Sequence, residues 1–407
     1  MECGINDKIK IVWICHFSDE KLQEKLPIWR KTPSFAAWIR NTLEGFINDD
    51  MFEIHVISPH QYLKRDVSFE EDGIFYHFFS IGVPFINRSW PAFFNIDLLS
   101  NYFLNKKKIL KLISEIGPKL INLQGAENSY YSSVILKLYK KYPVLVTIQG
   151  FVSLEVFSKK DAIILDRIKV EEQVLKCCNF FGGDVDSKLI ISNIKNDEFG
   201  FFEYLYPLGS GIKKYNNRNT LKVYDILFWG RVCKDKGAED FIKLVANLKI
   251  TLPNIKANII GGASGNYFDE LKNLAIKLDC LENINFNGFI LETNELYLEV
   301  LKCKILILPT YNDRLPTVLR EAMYLKLPIV SYRTGSIPGI NHCQEVILLT
   351  DQGNLTELQS QTELLLNNQE LFNQFSEKAF EFGVKEFGVE YNCQKMKDAY
   401  KTILNIN

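Results

Sequence analysis

The segment from Lys304 to Ile340 constrains the fold more than any other. It opens with a short apolar run, Ile305 to Leu308, closed by Pro309. Such a run reads as a strand buried on both faces of a parallel sheet. A polar loop, Thr310 to Leu315, comes next. Pro316 falls where a first helical position is expected, with Asn312 and Asp313 before it as candidate caps. Val318, Leu319, Ala322 and Met323 recur at helical spacing and supply a buried face. Pro328 ends that helix, and Ile329 to Ser331 begins the next strand. Strand, loop, helix and strand in this order predict an open α/β sheet, in which ligands bind at the carboxyl ends of the strands. The helix start at Leu315, Pro316 and Thr317 would offer backbone N–H groups and a positive dipole end, both suited to phosphate.

At 407 residues the chain exceeds one ordinary core, and two domains of about 200 residues each are expected. Hydrophobic residues make up 47% and charged residues 24%, as in globular proteins generally. A net charge of −1 implies no broad attraction to nucleic acid or to an anionic membrane. No apolar run approaches the roughly 18 residues of a membrane span, and the N-terminus is too polar for a secretory signal. Nine scattered cysteines lack metal-ligand or redox spacing, Cys177-Cys178 being the one adjacent pair. Reduced thiols in a cytoplasmic protein are the expectation.

The first half alternates strands with helices, which argues a parallel, doubly wound sheet. Strands are expected at Ile9–Phe17, Phe52–Ser58, Ile74–Ile81, Lys119–Leu123 and Pro143–Gln149. Helices are expected at about Ser34–Ile47, Ser100–Ile116 and Tyr130–Tyr142, and residues 18–33 read as a polar loop carrying Lys21, Lys25, Arg30 and Lys31. Gln149, at a strand end, can donate and accept hydrogen bonds but cannot titrate. Phe78, Phe79, Phe85, Trp90, Phe93, Phe94, Tyr102 and Phe103 crowd one stretch, followed by Lys106 to Lys108. They read first as packing aromatics, and alternatively as an interfacial patch for a lipid-linked partner. Asp184-Val185-Asp186 reads first as the cap of a helix; the alternative is a D-x-D metal site.

The second half restarts the rhythm with a strand at Asp225–Trp229. Gly230-Arg231 and Lys236-Gly237 follow it. Two cations five positions apart at a strand end suit a diphosphate, Arg as a planar fork and Lys as a point charge. Gly261-Gly262 closes the strand Ile255–Ile260, and further strands are expected at Ile284–Phe289 and Glu345–Leu349. Helices are expected at Leu296–Cys303, Leu355–Leu366, Gln369–Phe382 and Glu390–Ile406. Asp313 and Glu321 have seven residues between them. Each carboxylate could accept hydrogen bonds from two adjacent sugar hydroxyls; the bland alternatives are a helix cap for Asp313 and a solvated helix residue for Glu321.

Pro309, Thr310, Asp313, Glu321, Ala322, Pro328 and Gly335, together with the Gly230-Arg231-x(4)-Lys236-Gly237 pattern, resemble the signature of GT-B glycosyltransferases of family 4. The likeness is strong from Asp225 to Pro338 and looser before. It implies two Rossmann-like domains facing a cleft and glycosyl transfer from a nucleotide sugar with retention of configuration; with the phosphate charge met by Arg231, Lys236 and the helix start, no metal is expected. It also implies ribose binding by Glu321, diphosphate binding by Arg231, Lys236 and the helix start, and donor-sugar contact by Asp313 and Gln149. Gly230, Gly261 and Gly262 would face the nucleotide. Departures are plain: Asp313 stands for the family's first Glu, Leu327 for a Gly, Gln149 for a His, and Ser34-Phe35-Ala36-Ala37 for a Gly-Gly pair.

The expected organisation is an acceptor-side domain at 1–208 and a hinge at 209–220. A nucleotide-sugar domain would span 221–388, with a final helix at 389–407 crossing back to the first domain. The expected donor is a uridine diphosphate sugar and the expected acceptor a growing glycan or lipid-linked saccharide of a surface polysaccharide. Attachment to the inner face of a membrane would be peripheral, and no nucleic acid is involved. A sugar-nucleotide epimerase of the same fold and a non-catalytic partner subunit remain as alternatives. A nicotinamide-dependent oxidoreductase is disfavoured, because no G-x-G-x-x-G follows a strand.

Overall fold

The computed structural model describes residues 8–81, 95–155, 161–215, 220–313, 315–342 and 344–406. The chain divides into two compact units. One runs to Gly209 and takes up the chain again from Val389; the other spans Ser210–Gly388.

The first unit is built on an eight-stranded sheet. Its strands are β1 (Ile9–Ile14), β2 (Phe52–His60), β3 (Val67–Glu71), β4 (Ile74–Ser80), β5 (Leu120–Gln124), β6 (Val144–Thr147), β7 (Phe180–Gly183) and β8 (Gly200–Glu203), in the order β3-β4-β2-β1-β5-β6-β7-β8. β1, β5 and β6 are buried almost throughout, as strands covered on both faces must be. Every neighbouring pair is parallel except β3 with β4. β3 is absent from the strands expected above. Asp72 and Gly73, at φ 55° and 74°, form the two-residue turn that an Asp-Gly pair favours between antiparallel strands. β7 and β8 were not expected either: at four residues each, with glycine at one end, they carry little periodicity.

Other local expectations need correction. Residues 18–33 are not a plain loop, because Glu20–Gln23 is helical with Asp19 as its cap. The helix expected at Tyr130–Tyr142 is two short pieces, Ser129–Ser132 and Ile135–Leu138. The Ser132 hydroxyl donates to the Ala126 carbonyl at 2.9 Å, tying the first piece to the loop after β5. Asp184 caps Val185–Ile194, its side chain accepting from the Ser187 N–H.

Among the crowded aromatics Phe78, Phe79 and Tyr102 are buried, whereas Phe103 is exposed. Phe85, Trp90, Phe93 and Phe94 lie outside the described residues, as does 216–219 of the linker. The three lysines are not an open cationic cluster: Lys106 is buried and donates to Asn101 Oδ1 at 2.6 Å, and Lys108 pairs with Asp66 at 2.9 Å. The last helix, Val389–Leu404, belongs to the first unit, where Cys393, Met396 and Tyr400 share a core with Trp13 and Phe46. Asn122 Nδ2 on β5 donates to the Tyr400 hydroxyl at 2.6 Å.

The second unit carries six parallel strands: β9 (Tyr224–Trp229), β10 (Ala257–Ile260), β11 (Ile284–Gly288), β12 (Cys303–Leu308), β13 (Ile329–Tyr332) and β14 (Leu348–Thr350). Their order is β11-β10-β9-β12-β13-β14. The first and fourth strands of the unit are therefore neighbours, and the chain winds away from them in both directions. That reversal opens a crevice above their carboxyl ends. No helix among the described residues is long and apolar enough to cross a membrane.

Candidate active site

The loops that leave β9 and β12 meet at this reversal and form one body. Gly237 has φ 73°, and a Cβ there would lie 1.9 Å from the Pro309 carbonyl oxygen; only glycine permits the approach. The Asp235 carbonyl accepts from the N–H groups of Tyr311 at 2.8 Å and Asn312 at 3.3 Å. The Tyr311 hydroxyl donates to Asp240 Oδ2 at 2.5 Å, and Tyr332 donates to the same oxygen at 3.0 Å. Burial alone would raise the Asp240 carboxyl, but these bonds and one from Lys243 hold it below its ordinary range. The turn that carries Lys236 is thus welded to the loop that carries Asp313.

Across the sheet, Gly230 N–H donates to Ile260 O at 3.0 Å and Gly261 N–H to Gly288 O at 2.9 Å. Gly261 has φ 147°, and a Cβ on it would lie 1.7 Å from the Gly230 oxygen. Gly262 is exposed beside them, its carbonyl accepting from the Val232 N–H at 2.9 Å.

Lys236 Nζ donates to the Asn312 carbonyl at 3.0 Å and forms an ion pair with Asp313. Arg231 is exposed at the β9 end, with no ion pair or hydrogen bond to a described residue. It is free to turn toward a ligand. Pro316, expected as the first helical residue, is instead the N-cap at φ −59° and ψ 136°, and the helix runs Thr317–Tyr324. Pro316 has no capping side chain, and among the described residues no bond joins Asn312 or Asp313 to the first-turn N–H groups. The first-turn N–H groups are left for another acceptor. Leu315 is part-buried and Pro316 buried, while the exposed Thr317 accepts from Arg320 Nη2 at 3.1 Å.

Glu321 sits one turn into this helix, part-buried, and accepts from the Tyr297 hydroxyl at 2.8 Å. It is not the solvated helix residue of the bland reading. Burial pushes its carboxyl up to about 7, against the Tyr297 hydrogen bond and the Arg320 charge, which lower it. Tyr297, on the helix Thr293–Leu301, escaped the sequence, where a lone tyrosine in an amphipathic helix reads as packing. Its burial against Tyr215 and Trp229 is packing; only the fold brings its hydroxyl to Glu321.

Gln149 alone of the candidates lies in the first unit, just after β6. Its Nε2 donates to the Gln124 carbonyl at 3.1 Å. A Cβ on Gly125 would meet Gln149 Oε1 at 2.9 Å and Glu127 Oε2 at 2.6 Å, so an amide oxygen and a carboxylate border the same glycine. Burial pushes the Glu127 carboxyl up to about 7. Ala36, in the stretch that lacks the Gly-Gly pair, adopts the left-handed conformation a glycine would favour, at φ 54° and ψ 43°. Among the described residues no group of three or more His, Cys, Asp or Glu side chains is placed to hold a metal ion.

Residues 212–382 match the family model described as glycosyl transferases group 1. Across the whole chain, sucrose-phosphate synthase from Thermosynechococcus elongatus superposes with a TM-score of 0.72 at 13% identity, covering 98% of this chain and 100% of that one. Anabaena HepE in complex with UDP gives 0.67 at 15% identity over 97% and 100%. An Escherichia coli trehalose-6-phosphate structure bound with UDP-2-fluoro glucose gives 0.68 at 11% over 98% and 99%. The fold is GT-B. An uncharacterized glycosyltransferase of Haemophilus influenzae is 31% identical over 196 residues, 47% of this chain and 50% of that protein; the match thus spans about half the length of that curated relative. The second unit's Arg231, Lys236, Asp313, Glu321 and glycines gather at one set of strand ends, and Gln149 follows β6 in the first unit.

Proposed function

We propose that the chain transfers a glycosyl group from a nucleoside-diphosphate sugar, a uridine diphosphate sugar first, to a hydroxyl of a growing glycan or lipid-linked saccharide, with retention of configuration. One observation carries most of this reading: Lys236 pairs with Asp313 in the loop that leads into the helix carrying Glu321, and Arg231 stands in the same turn as Lys236. Cations and free N–H groups suit a diphosphate; carboxylates suit vicinal hydroxyls. A nucleotide sugar carries both in one molecule. The HepE and Escherichia coli structures hold UDP or a UDP-sugar, which supports a uridine nucleotide as donor.

In the transfer, the bond from the anomeric carbon to the diphosphate oxygen breaks and a bond to the acceptor oxygen forms, with the acceptor proton released. Negative charge develops on the leaving diphosphate, and Arg231, Lys236 and the helix N–H groups would stabilise it. Glu321 would hold the ribose, and Asp313 and Gln149 the donor sugar. With charge met this way, no cation is needed, and Asp184 is already committed to a helix cap. Surface-polysaccharide synthesis at the inner face of a membrane, with peripheral attachment, is the role we assign.

The test is turnover and binding across a panel of nucleotide sugars. A ligand at 100 times its dissociation constant adds about 2.7 kcal/mol of stability, so donors announce themselves by melting temperature. Release of nucleoside diphosphate that depends on an added saccharide acceptor supports transfer, and the product's anomeric configuration checks retention. Conversion of donor without acceptor means an epimerase. Binding without turnover means a non-catalytic subunit, and no nucleotide binding sinks the reading entirely.

A further inference from the structure

The first unit holds a cavity of about 470 Å³ above the ends of β1 and β2, and Arg30, Lys31, Thr32, Phe35, His60 and Tyr62 are among its lining residues. That volume suits a small ligand. The segment that supplies Arg30 and Lys31 is held in place from within. Gln23, buried at the end of the Glu20–Gln23 helix, clamps Thr32 from both sides. Its Nε2 donates to the Thr32 carbonyl at 2.8 Å, and its Oε1 accepts from the Thr32 N–H at 2.8 Å. The same Nε2 donates to the Ser18 hydroxyl at 2.8 Å, which lies 2.9 Å from Thr32 Oγ1. Trp29 N–H donates to Tyr62 O at 3.2 Å and Lys64 N–H to Pro27 O at 2.9 Å, pinning the segment to the chain beyond β2.

Two cations are thereby fixed at the mouth. The Arg30 guanidinium lies over the Tyr62 ring, 5.4 Å from its centre, which leaves the N–H fork at its edge open. Neither Arg30 nor Lys31 has a carboxylate partner among the described residues. His60, one of the lining residues, carries a ring nitrogen that is buried without a partner. His60 Nδ1 accepts from the Tyr62 N–H at 3.2 Å, which puts the ring proton on Nε2. That nitrogen has no partner among the described residues. Burial pushes the His60 imidazole down to about 4, so it is neutral at physiological pH and donates one hydrogen bond. Two unpaired cations at the mouth of a cavity match an oxyanion.

We propose that this cavity binds a phosphate group carried by the sugar acceptor, either a soluble sugar phosphate or a lipid phosphate. That the phosphate belongs to the acceptor rests on the glycosyl-transfer reading; that the cavity binds phosphate does not.

The experiment uses the full chain, one double variant and one quadruple variant, with pyrophosphate as the probe, followed by titration calorimetry at low salt. Arg231→Ala/Lys236→Ala removes the grip proposed in the second unit, so the pyrophosphate this variant still binds at neutral pH, where His60 stays neutral, reports the first-unit cavity. Adding Arg30→Ala/Lys31→Ala to it should weaken binding at least about tenfold, since two charge-assisted contacts are lost. The exposed positions of Arg30 and Lys31 leave the fold intact. Pyrophosphate binding that disappears with Arg231 and Lys236 alone, or that survives loss of Arg30 and Lys31, overturns the proposal. The source is then read on the Arg231→Ala/Lys236→Ala background. Tighter binding of glucose 6-phosphate than of glucose supports a soluble acceptor. Binding to phosphatidylcholine vesicles only when phosphatidic acid is present supports a lipid-borne one. If pyrophosphate binds but neither of these does, the acceptor assignment is wrong. Should the chain bind no nucleotide at all, the pyrophosphate result still stands or falls alone.

Discussion

The Tyr297 hydroxyl donates to Glu321 Oε1 at 2.8 Å, and the carboxyl it supports titrates near 7 because burial outweighs that bond. The folded state therefore holds this proton more tightly than the unfolded chain, which releases it near 4.5. The sign follows: stability of the free protein declines as pH rises from about 4.5 to about 7 through this group. Nucleotide binding runs the other way. Two ribose hydroxyls donating to one group favour the carboxylate, so affinity for UDP-glucose should climb between pH 6 and 8, by about five- to tenfold. UDP-glucose is the right ligand because its diphosphate does not titrate in that range. Tyr297→Phe removes a bond that favours the charged form and should move the midpoint upward. Glu321→Gln should flatten the profile, and a profile unchanged in Glu321→Gln would remove Glu321 from the ribose site.

Lys236 and Asp313 are paired in the structure, so a diphosphate must share or displace that carboxylate to reach the lysine. Asp313→Asn should raise UDP affinity by about three- to tenfold, the scale of a part-exposed ion pair. Lys236→Met should lower it by more than tenfold. In the double variant the gain from Asp313→Asn should vanish, because it acts through Lys236. Additive effects on UDP affinity would show that the two act independently. Transfer is a separate readout. If Asp313 also contacts the donor sugar, Asp313→Asn lowers transfer efficiency about ten- to a hundredfold despite tighter UDP binding, and Asp313→Glu reorders the preferred donor sugars.

Much of the local structure around these residues was legible before the fold, because it rests on local order. Ile305–Leu308, the loop to Pro316 and the Val318–Met323 stripe fall within β12, its loop and the helix Thr317–Tyr324. Gly230 to Gly237 likewise turns out to be a strand end and a turn. What depended on distant partners was not legible. Nothing local says that the Asp235 carbonyl binds the loop at Tyr311, that Tyr297 meets Glu321, or that Gln23 holds Thr32. Pro316 was misplaced by one position because proline is equally compatible with the residue before the first turn. β3 was legible from Asp72-Gly73 and went unread because alternating strands and helices suggested parallel pairing throughout. The Asp313 cap failed because an ion pair in a part-buried loop offers that carboxylate more than a helix N–H does.

Gly237 gives a direct test of structural against functional use of a motif glycine. With φ at 73° and a Cβ position 1.9 Å from the Pro309 oxygen, Gly237→Ala meets both left-handed strain and a backbone clash. The expected loss of unfolding free energy is at least about 2–3 kcal/mol by urea titration. If the glycine served only to let a phosphate approach, UDP affinity would fall while stability stayed within about 0.5 kcal/mol.

Ala36 tests the opposite case, a left-handed position without glycine. It is the N-cap of the helix Ala37–Leu43, at φ 54° and ψ 43° with no capping side chain. An L-residue there bears about 1–2 kcal/mol of strain. Ala36→Gly relieves that strain. Against it stand about 0.4–1 kcal/mol of extra unfolded-state freedom and about 0.8 kcal/mol for the lost methyl, since Ala36 is buried. These nearly cancel, so Ala36→Gly should leave unfolding free energy within about 1 kcal/mol of the parent. Ala322 is the control: it too is buried but lies inside the helix Thr317–Tyr324, so glycine there brings no relief. Ala322→Gly should cost about 1.5–2 kcal/mol, from helix propensity plus the methyl. Urea titration of the two variants side by side decides the matter. If Ala36→Gly costs as much as Ala322→Gly, the left-handed backbone at Ala36 carries no strain, and its likeness to a glycine position is accidental.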